Sequence, residues 1–262
     1  MTYEAVDLNI KENTLFITLH RPEVHNAMNK VMLNELTRCF REYEDNSEVR
    51  CVVLTGEGSS FSAGADLNWM KSMIDYSEEE NIRDSSILLE LYDSMYYYPK
   101  PIIAKVNGHA FGGGIGLMAV SDIVIAVPDA KFSFGEINLG LIPSVISTFV
   151  VKRIGEANMK RLFITGEMFD STYASKIGLV DYVASSEDLD DEVSRYIEEI
   201  QSSSPHAVKE VKEMMKRYDE VGEEEYKEST VKKIAELRVS SQGQEGIEAF
   251  LEKRKPRWSD HR

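Results

Sequence analysis

The chain has 262 residues, of which 42% are hydrophobic and 29% charged, a balance that suits a globular protein able to bury a full core. A formal net charge of −15 weighs against nucleic acid as the main partner, because phosphate binding depends on neutralisation by Lys and Arg. Two cysteines, Cys39 and Cys51, are too few for a disulfide framework or a cysteine-rich metal site. They suit a reducing compartment. The N-terminus MTYEAVDLNIKEN lacks the basic and apolar regions of a signal peptide. No apolar stretch approaches the roughly 18 residues that a membrane span needs. A cytoplasmic protein without a membrane partner is the expectation.

Tyr3–Ile10 and Leu15–His20 alternate apolar and polar residues around Lys11–Thr14, which predicts a β-hairpin. A polar loop, RPEVHNAMN, comes next. Met32, Leu36, Phe40 and Tyr43 then recur at helical spacing through a charged segment. Cys51–Thr55 reads as a buried strand and Gly56–Gly64 as a loop. Ser77 with Glu80 forms a capping-box pattern ahead of a helix that runs to about Tyr97, where Pro99 and Pro101 end it. Ile102–Val106 is a second buried strand, followed by the loop NGHAFGGG, a helix from about Gly113 to Val120 and a strand at Ile123–Val127. Strands alternating with helices predict an α/β architecture with a parallel sheet.

Beyond Pro143 the segments are mainly helical, with short strands near Leu179–Val183. From about residue 205 the chain is almost entirely helical and charged. Val208, Val211 and Met215, then Ile234 and Leu237, form apolar stripes that pack on the core or on another subunit. The division expected is 1–200 for a core carrying the active site and 201–262 for a helical region.

Three segments carry candidate chemistry. Phe61-Ser62-Ala63-Gly64-Ala65-Asp66-Leu67 is either a tight turn or a place where small side chains let a ligand reach backbone N–H groups. Asn107-Gly108-His109-Ala110-Phe111-Gly112-Gly113-Gly114 leads from a strand into a helix, whose free N–H groups favour negative charge. It has neither the spacing of a dinucleotide fingerprint nor the Lys of a P-loop. Together, the two loops suggest a pair of backbone donors converging on one oxygen. Glu136, in Phe134-Gly135-Glu136-Ile137-Asn138-Leu139, is either a solvent-exposed structural residue or a carboxylate buried among apolar residues, where a raised pKa would suit a general acid–base role. His20, His25, His109, His206 and His261 show no metal-ligand spacing, so no metal is expected. Tyr96-Tyr97-Tyr98 reads as packing at a helix end. The run Lys253, Arg254, Lys255 and Arg257 is either a solvated tail or a basic patch for a polyphosphate.

RPEVHNAMN, FSAGADL, NGHAFGGG, FGEINLGLIP, IGLVD and FLEKRKPRW, in this order, resemble the crotonase family of enoyl-CoA hydratases and isomerases over nearly the whole chain. The resemblance implies an α/β spiral of ββα units with a helical C-terminal region, assembled as a homotrimer or a dimer of trimers. It implies an acyl-CoA substrate, with coenzyme A as part of the substrate rather than a separate cofactor. The thioester carbonyl is expected between the amides of Ala65 and Gly113, with Glu136 as the catalytic acid–base group. Coenzyme A is expected near Ala27, Ala63, Asp66 and Leu67, and near Phe250 and Lys253, often from a neighbouring subunit. Trp69, Met70 and Ser147 are expected in the acyl pocket, or else in core packing.

One departure stands out. Hydratases of this family commonly carry a first glutamate twenty residues before the second, and that position here is Gly116. FSAGADLNWMK, FGGGIGL and LGLIPSVISTFVVKRIG are similar to 3-methylglutaconyl-CoA hydratase-like members, a branch that also tends to carry Gly there. Three readings follow: hydration of a branched enoyl-CoA, double-bond isomerisation by a single glutamate, or CoA-ester binding without turnover.

Overall fold

The computed structural model describes residues 3–259. The expectation for His261 lies outside the described residues. The chain opens with strands β1 (Val6–Lys11) and β2 (Thr14–Leu19), paired antiparallel with Lys11 opposite Thr14. The two residues between them, Glu12 and Asn13, both have positive φ, 48° and 58°, as the tightest hairpin turn demands. Helix α1 (Lys30–Tyr43) begins where the Asn29 side chain accepts from the Met32 N–H, and it buries Met32, Leu33, Leu36 and Phe40.

Three ββ units then wind in the same sense. Strands β3 (Cys51–Gly56) and β4 (Ser60–Ser62) lead to helices α2 (Leu67–Met73) and α3 (Glu78–Tyr96). Strands β5 (Ile102–Val106) and β6 (His109–Phe111) lead to helix α4 (Gly113–Ala119). Strands β7 (Ile123–Ala126) and β8 (Lys131–Ser133) lead through a 3-10 turn, Gly135–Leu139, to helix α5 (Ser144–Thr165), which breaks at Gly155. The first strands of each unit lie side by side in a six-stranded sheet of order β1-β2-β3-β5-β7-β10, with β10 at Tyr182–Val183, parallel from β2 onward. The second strands stack as β4-β6-β8 in a smaller sheet, closed by the antiparallel β9 (Phe169–Asp170). This is the expected spiral of ββα units.

The small sheet corrects the sequence reading, which took β4 and β6 for loops and left β8 unassigned. Three residues are too few to display a period-two pattern, and each segment pairs only because the next turn of the spiral lies beside it. Helix α2 was also unforeseen, although Asp66 caps it by accepting from the N–H groups of Asn68 and Trp69. The capping box at Ser77 and Glu80 is present as read.

Strand β9 (Phe169–Asp170), helix α6 (Ser171–Lys176), strand β10 (Tyr182–Val183) and helix α7 (Leu189–Ser202) complete the core. Helices α8 (Pro205–Glu220), α9 (Glu223–Val239) and α10 (Ser241–Glu252) form the C-terminal region. Polar links join this region to the core. Lys212 pairs with Asp122 at 2.7 Å, Lys152 pairs with Asp219, and Arg50 donates to the Ser203 carbonyl at 2.6 Å and the Trp258 carbonyl at 3.2 Å. Among the described residues, no helix is long and apolar enough to cross a membrane.

Candidate active site

The loop after β4 is held in place by the polar loop RPEVHNAMN. Ala63 N–H donates to the His25 carbonyl at 2.9 Å, Met28 N–H to the Gly64 carbonyl at 2.6 Å, and Asp66 N–H to the Met28 carbonyl at 2.9 Å. Asn26 is fully buried and anchors the polar loop, donating to the carbonyls of Glu57 and Ser60 while its own side-chain oxygen accepts from Arg21 N–H. Buried amides of this kind are costly unless paired, so the loop has one low-energy arrangement. Ala65 therefore sits on a fixed backbone, yet it is exposed. Among the described residues its N–H has no acceptor.

Gly64 brings the second loop against the first. Its φ is +84°, and a Cβ there would lie 2.8 Å from the Phe111 carbonyl oxygen and 3.7 Å from the Gly113 nitrogen. The amide at the start of α4 thus lies beside the residue that precedes Ala65. Like Ala65, the Gly113 N–H has no acceptor among the described residues, as the first turn of a helix leaves it. The two loops from which the sequence suggests backbone donors therefore lie side by side.

Glu136 meets the same place from the third segment. Gly112 has φ 46° and ψ −114°, a conformation that only glycine adopts readily. A Cβ on Gly112 would lie 2.6 Å from Glu136 Oε1, so the carboxylate rests directly against the backbone that leads into Gly113. Glu136 is half-buried, and its Oε2 is sealed from solvent without a hydrogen-bond partner among the described residues. Burial pushes its pKa above the ordinary glutamate value, outweighing a hydrogen bond from its own backbone amide. The 3-10 turn that carries it is closed by Leu141 N–H donating to the Glu136 carbonyl at 3.1 Å. The turn is also wedged against Gly166, where an added Cβ would meet Ile137 at 2.8 Å.

The remaining expected site residues divide. Ala27, Ala63 and Leu67 line the paired loops, with Leu67 74% exposed. Asp66 is buried, and its carboxylate is already committed to the α2 cap and to Arg21 at 2.8 Å. Burial works to raise the Asp66 pKa, but the Arg21 guanidinium and the amides of Trp69 and Asn68 bring it below the usual carboxylate range. Its backbone is paired as well, the N–H with the Met28 carbonyl and the carbonyl with the Met70 N–H at 2.8 Å. The Trp69 indole is buried and donates to buried Asp84 at 3.2 Å, and Ser147 donates to the Ser144 carbonyl at 2.6 Å. Trp69 is thus packed into the core, while Met70 and Ser147 are half-buried. Gly116 is buried on the first turns of α4.

Phe250 is 83% exposed at the end of α10, and Lys253 follows in a left-handed cap. Among the described residues, no hydrogen bond or ion pair joins either to the loops bearing Ala65, Gly113 or Glu136. In the basic run, Arg254 pairs with Glu245 and Glu252, and Arg257 with Glu245, which leaves less free charge than the sequence suggested.

Sequence reasoning missed Arg21, Asn26, Met28 and Tyr92. The first three lie in the quoted polar loop, but nothing in the string shows which backbone they hold. Tyr98 packs edge-on against Phe40 at 5.1 Å between centroids, as expected of a helix-end tyrosine. The histidines form no buried metal site among the described residues. Asp7, His20 and Glu57 do cluster within 4.8 Å of one another, but all three are exposed and ion-paired among themselves. Surface hollows of about 440, 410 and 460 Å³ lie between α1 and α3, around α10 and between α8 and α9; none includes Ala65, Gly113 or Glu136.

The sequence profile of the enoyl-CoA hydratase/isomerase family matches residues 9–261. The mitochondrial enoyl-CoA hydratase of Pongo abelii is 32% identical over 95% of this chain and 85% of its own. A solved structure from Legionella pneumophila is 41% identical with a TM-score of 0.91, covering 98% of this chain and 100% of the other. An enoyl-CoA hydratase structure from Shewanella pealeana is 35% identical with a TM-score of 0.94, covering 98% and 96%. With the ββα spiral and an acid set against a glycine-rich helix start, these similarities show that the chain belongs to the enoyl-CoA hydratase/isomerase, or crotonase, family of enzymes.

Proposed function

We propose that the chain hydrates an enoyl-CoA thioester, or dehydrates the 3-hydroxy product, through an enolate held by the amides of Ala65 and Gly113. The observation that carries this is Glu136, whose sealed, unpartnered carboxylate oxygen lies against the backbone leading into Gly113. Two N–H donors aimed at one oxygen stabilise charge that develops only in the transition state, and such donors act strongly where water is excluded. Ionised Glu136 takes a proton from water as the hydroxide adds to the β-carbon. The electron pair of the double bond moves onto the thioester oxygen. Glu136 then returns that proton to the α-carbon, which restores the carbonyl. A carboxyl group with a raised pKa is suited to both halves of this shuttle.

A branched acyl group such as 3-methylglutaconyl is the substrate we favour, on the similarity of the FSAGADLNWMK and FGGGIGL segments to that branch. The exposed apolar side chains of Leu67, Leu139, Leu141 and Ile142 supply surface for a bulky acyl chain. Ala27, Ala63 and Leu67 offer backbone to coenzyme A. Phe250 and Lys253 would serve a neighbouring subunit's ligand in a trimer or dimer of trimers, and their exposure supports that placement.

Gly116 supports a second reading, Δ3,Δ2-enoyl-CoA isomerisation, in which Glu136 moves a proton from the α-carbon to the γ-carbon. Incubation of 2-enoyl-CoA esters in ¹⁸O water separates the two. Labelled 3-hydroxyacyl-CoA is the expected product, and rapid conversion of 3-enoyl esters without label would establish the isomerase instead. Glu136→Gln should lower kcat on the order of 10²–10⁴-fold while CoA-ester affinity is retained. Full turnover by that variant would overturn both readings.

A further inference from the structure

A buried tyrosine stands where a second carboxylate would need to be. Tyr92, on α3, is fully buried. A Cβ added to Gly116 would lie 2.7 Å from both Tyr92 Cζ and its hydroxyl oxygen, and 2.5 Å from Ile146 Cγ2. Contacts that short are essentially never made, so no side chain at position 116, and least of all a glutamate, fits beside Tyr92 and Ile146 as they stand. The same hydroxyl donates to the Gly113 carbonyl at 2.8 Å. It would also lie 3.0 Å from a Cβ on Gly113. Phe149, with its ring centroid 6.0 Å away, backs the tyrosine from α5. The phenol is held far above its ordinary pKa by burial and by the nearby Glu136 charge, so it remains a neutral donor throughout the pH range of the protein.

We propose that Tyr92 takes the place of the carboxylate missing at 116, as a positioning residue: its ring occupies the room that a side chain at 116 would require, and its hydroxyl fixes the first turn of α4 so that the Gly113 amide faces the thioester oxygen. The hydroxyl bond reaches the peptide that follows Gly113. It fixes one end of a glycine-rich turn that has few side chains of its own to hold it. The two-amide reading above is the basis for this assignment. A Gly-to-Glu change at 116 alone would therefore not convert the enzyme into a two-carboxylate hydratase, because the space is filled.

Two measurements test it, one of which is independent of turnover. The first is a thermal-unfolding cycle on the full-length protein with Gly116→Ala, Tyr92→Leu and the pair. Gly116→Ala is expected to lower Tm in the parent and to lower it by clearly less in the Tyr92→Leu background. Equal losses in both backgrounds would overturn the steric assignment. The second compares wild type with Tyr92→Phe, which keeps the ring and removes only the hydroxyl. Affinities are measured for butyryl-CoA and for acetoacetyl-CoA, whose enolate carries charge on the thioester oxygen. Tyr92→Phe should weaken acetoacetyl-CoA on the order of tenfold and reduce its enolate absorbance, with butyryl-CoA within about twofold. Equal weakening of both esters, or none of either, would overturn the positioning role. Failure of wild type to bind any CoA ester would instead overturn the functional reading, while the unfolding cycle would still decide the steric half.

Discussion

The spiral core and the C-terminal helices are built on opposite principles. In the core, β3, β5 and β7 are apolar on both faces, and Val52, Val53, Leu54, Ile102, Ile103, Val124 and Ile125 are all fully buried. Helices α8 and α9 contain no buried residue, and Val211, Met215, Val231, Ile234, Phe250 and Leu251 are exposed across α8–α10. Core residues have their partners within the chain, so one copy is enough to specify the spiral and the acid placed on it. The C-terminal helices are linked by ion pairs such as Lys233 with Glu210 at 2.7 Å, and many of their apolar residues stay exposed in the single chain. Exposed apolar surface on this scale is what an assembly interface supplies.

The sharpest way to break this contrast is to disturb the site through the core backbone alone. Gly112→Ala places a Cβ on a glycine-only backbone and 2.6 Å from Glu136 Oε1. Displacing the acid by a fraction of an ångström should lower kcat on the order of 10²-fold, measured at saturating ester. An unchanged kcat would mean that the acid is not held where the backbone puts it.

Paired truncations test the contrast itself. Leu54→Ala opens a cavity in fully buried β3 and should cost roughly 2–5 kcal/mol in denaturant unfolding. Val231→Ala on α9 should stay within about 0.5 kcal/mol for a separated chain. Comparable losses at both sites would show that α9 is covered. Replacing Phe250 and Leu251 with Ser should shift sedimentation toward the single chain and leave the far-ultraviolet circular dichroism of the core unchanged.

The smallest effect concerns pH. Because the folded pKa of Glu136 is raised, the folded state binds the proton more tightly than the unfolded chain. Stability is therefore lost as pH rises from the ordinary glutamate value through the raised one. Glu136→Gln removes that penalty, so its Tm should exceed wild type at pH 7, and the two should converge as pH falls below the ordinary glutamate value. The same shift places the acidic limb of the pH–rate profile above the ordinary glutamate value, with activity falling as pH drops through it.

Much of this was legible in the string of residues. The hairpin, the capping box at Ser77 and Glu80, the buried strands and the helical C-terminus follow from local periodicity and turn chemistry. The candidate donors and Glu136 were found because three short segments occur in a particular order. Other features were not legible. Strands β4, β6 and β8 have three residues each and exist only through pairing with the next turn of the spiral. The sequence shows Asp66 as an unassigned acid, and only the fold shows Arg21 and the α2 cap using its oxygens. The basic C-terminal run loses free charge to Glu245, eight and more residues upstream.

What the sequence determined alone was the alternation of elements, the family, and a site with one carboxylate, since Gly116 has no side chain to offer. Tertiary structure alone decided how that lone acid is housed: Gly112 makes room for its oxygen, Gly64 lets the two amides approach, and Tyr92 fills the volume at 116 from a helix more than twenty residues away. Local pattern reports what a segment can become, whereas close approach between segments depends on which atoms are missing at each glycine. Only packing shows that.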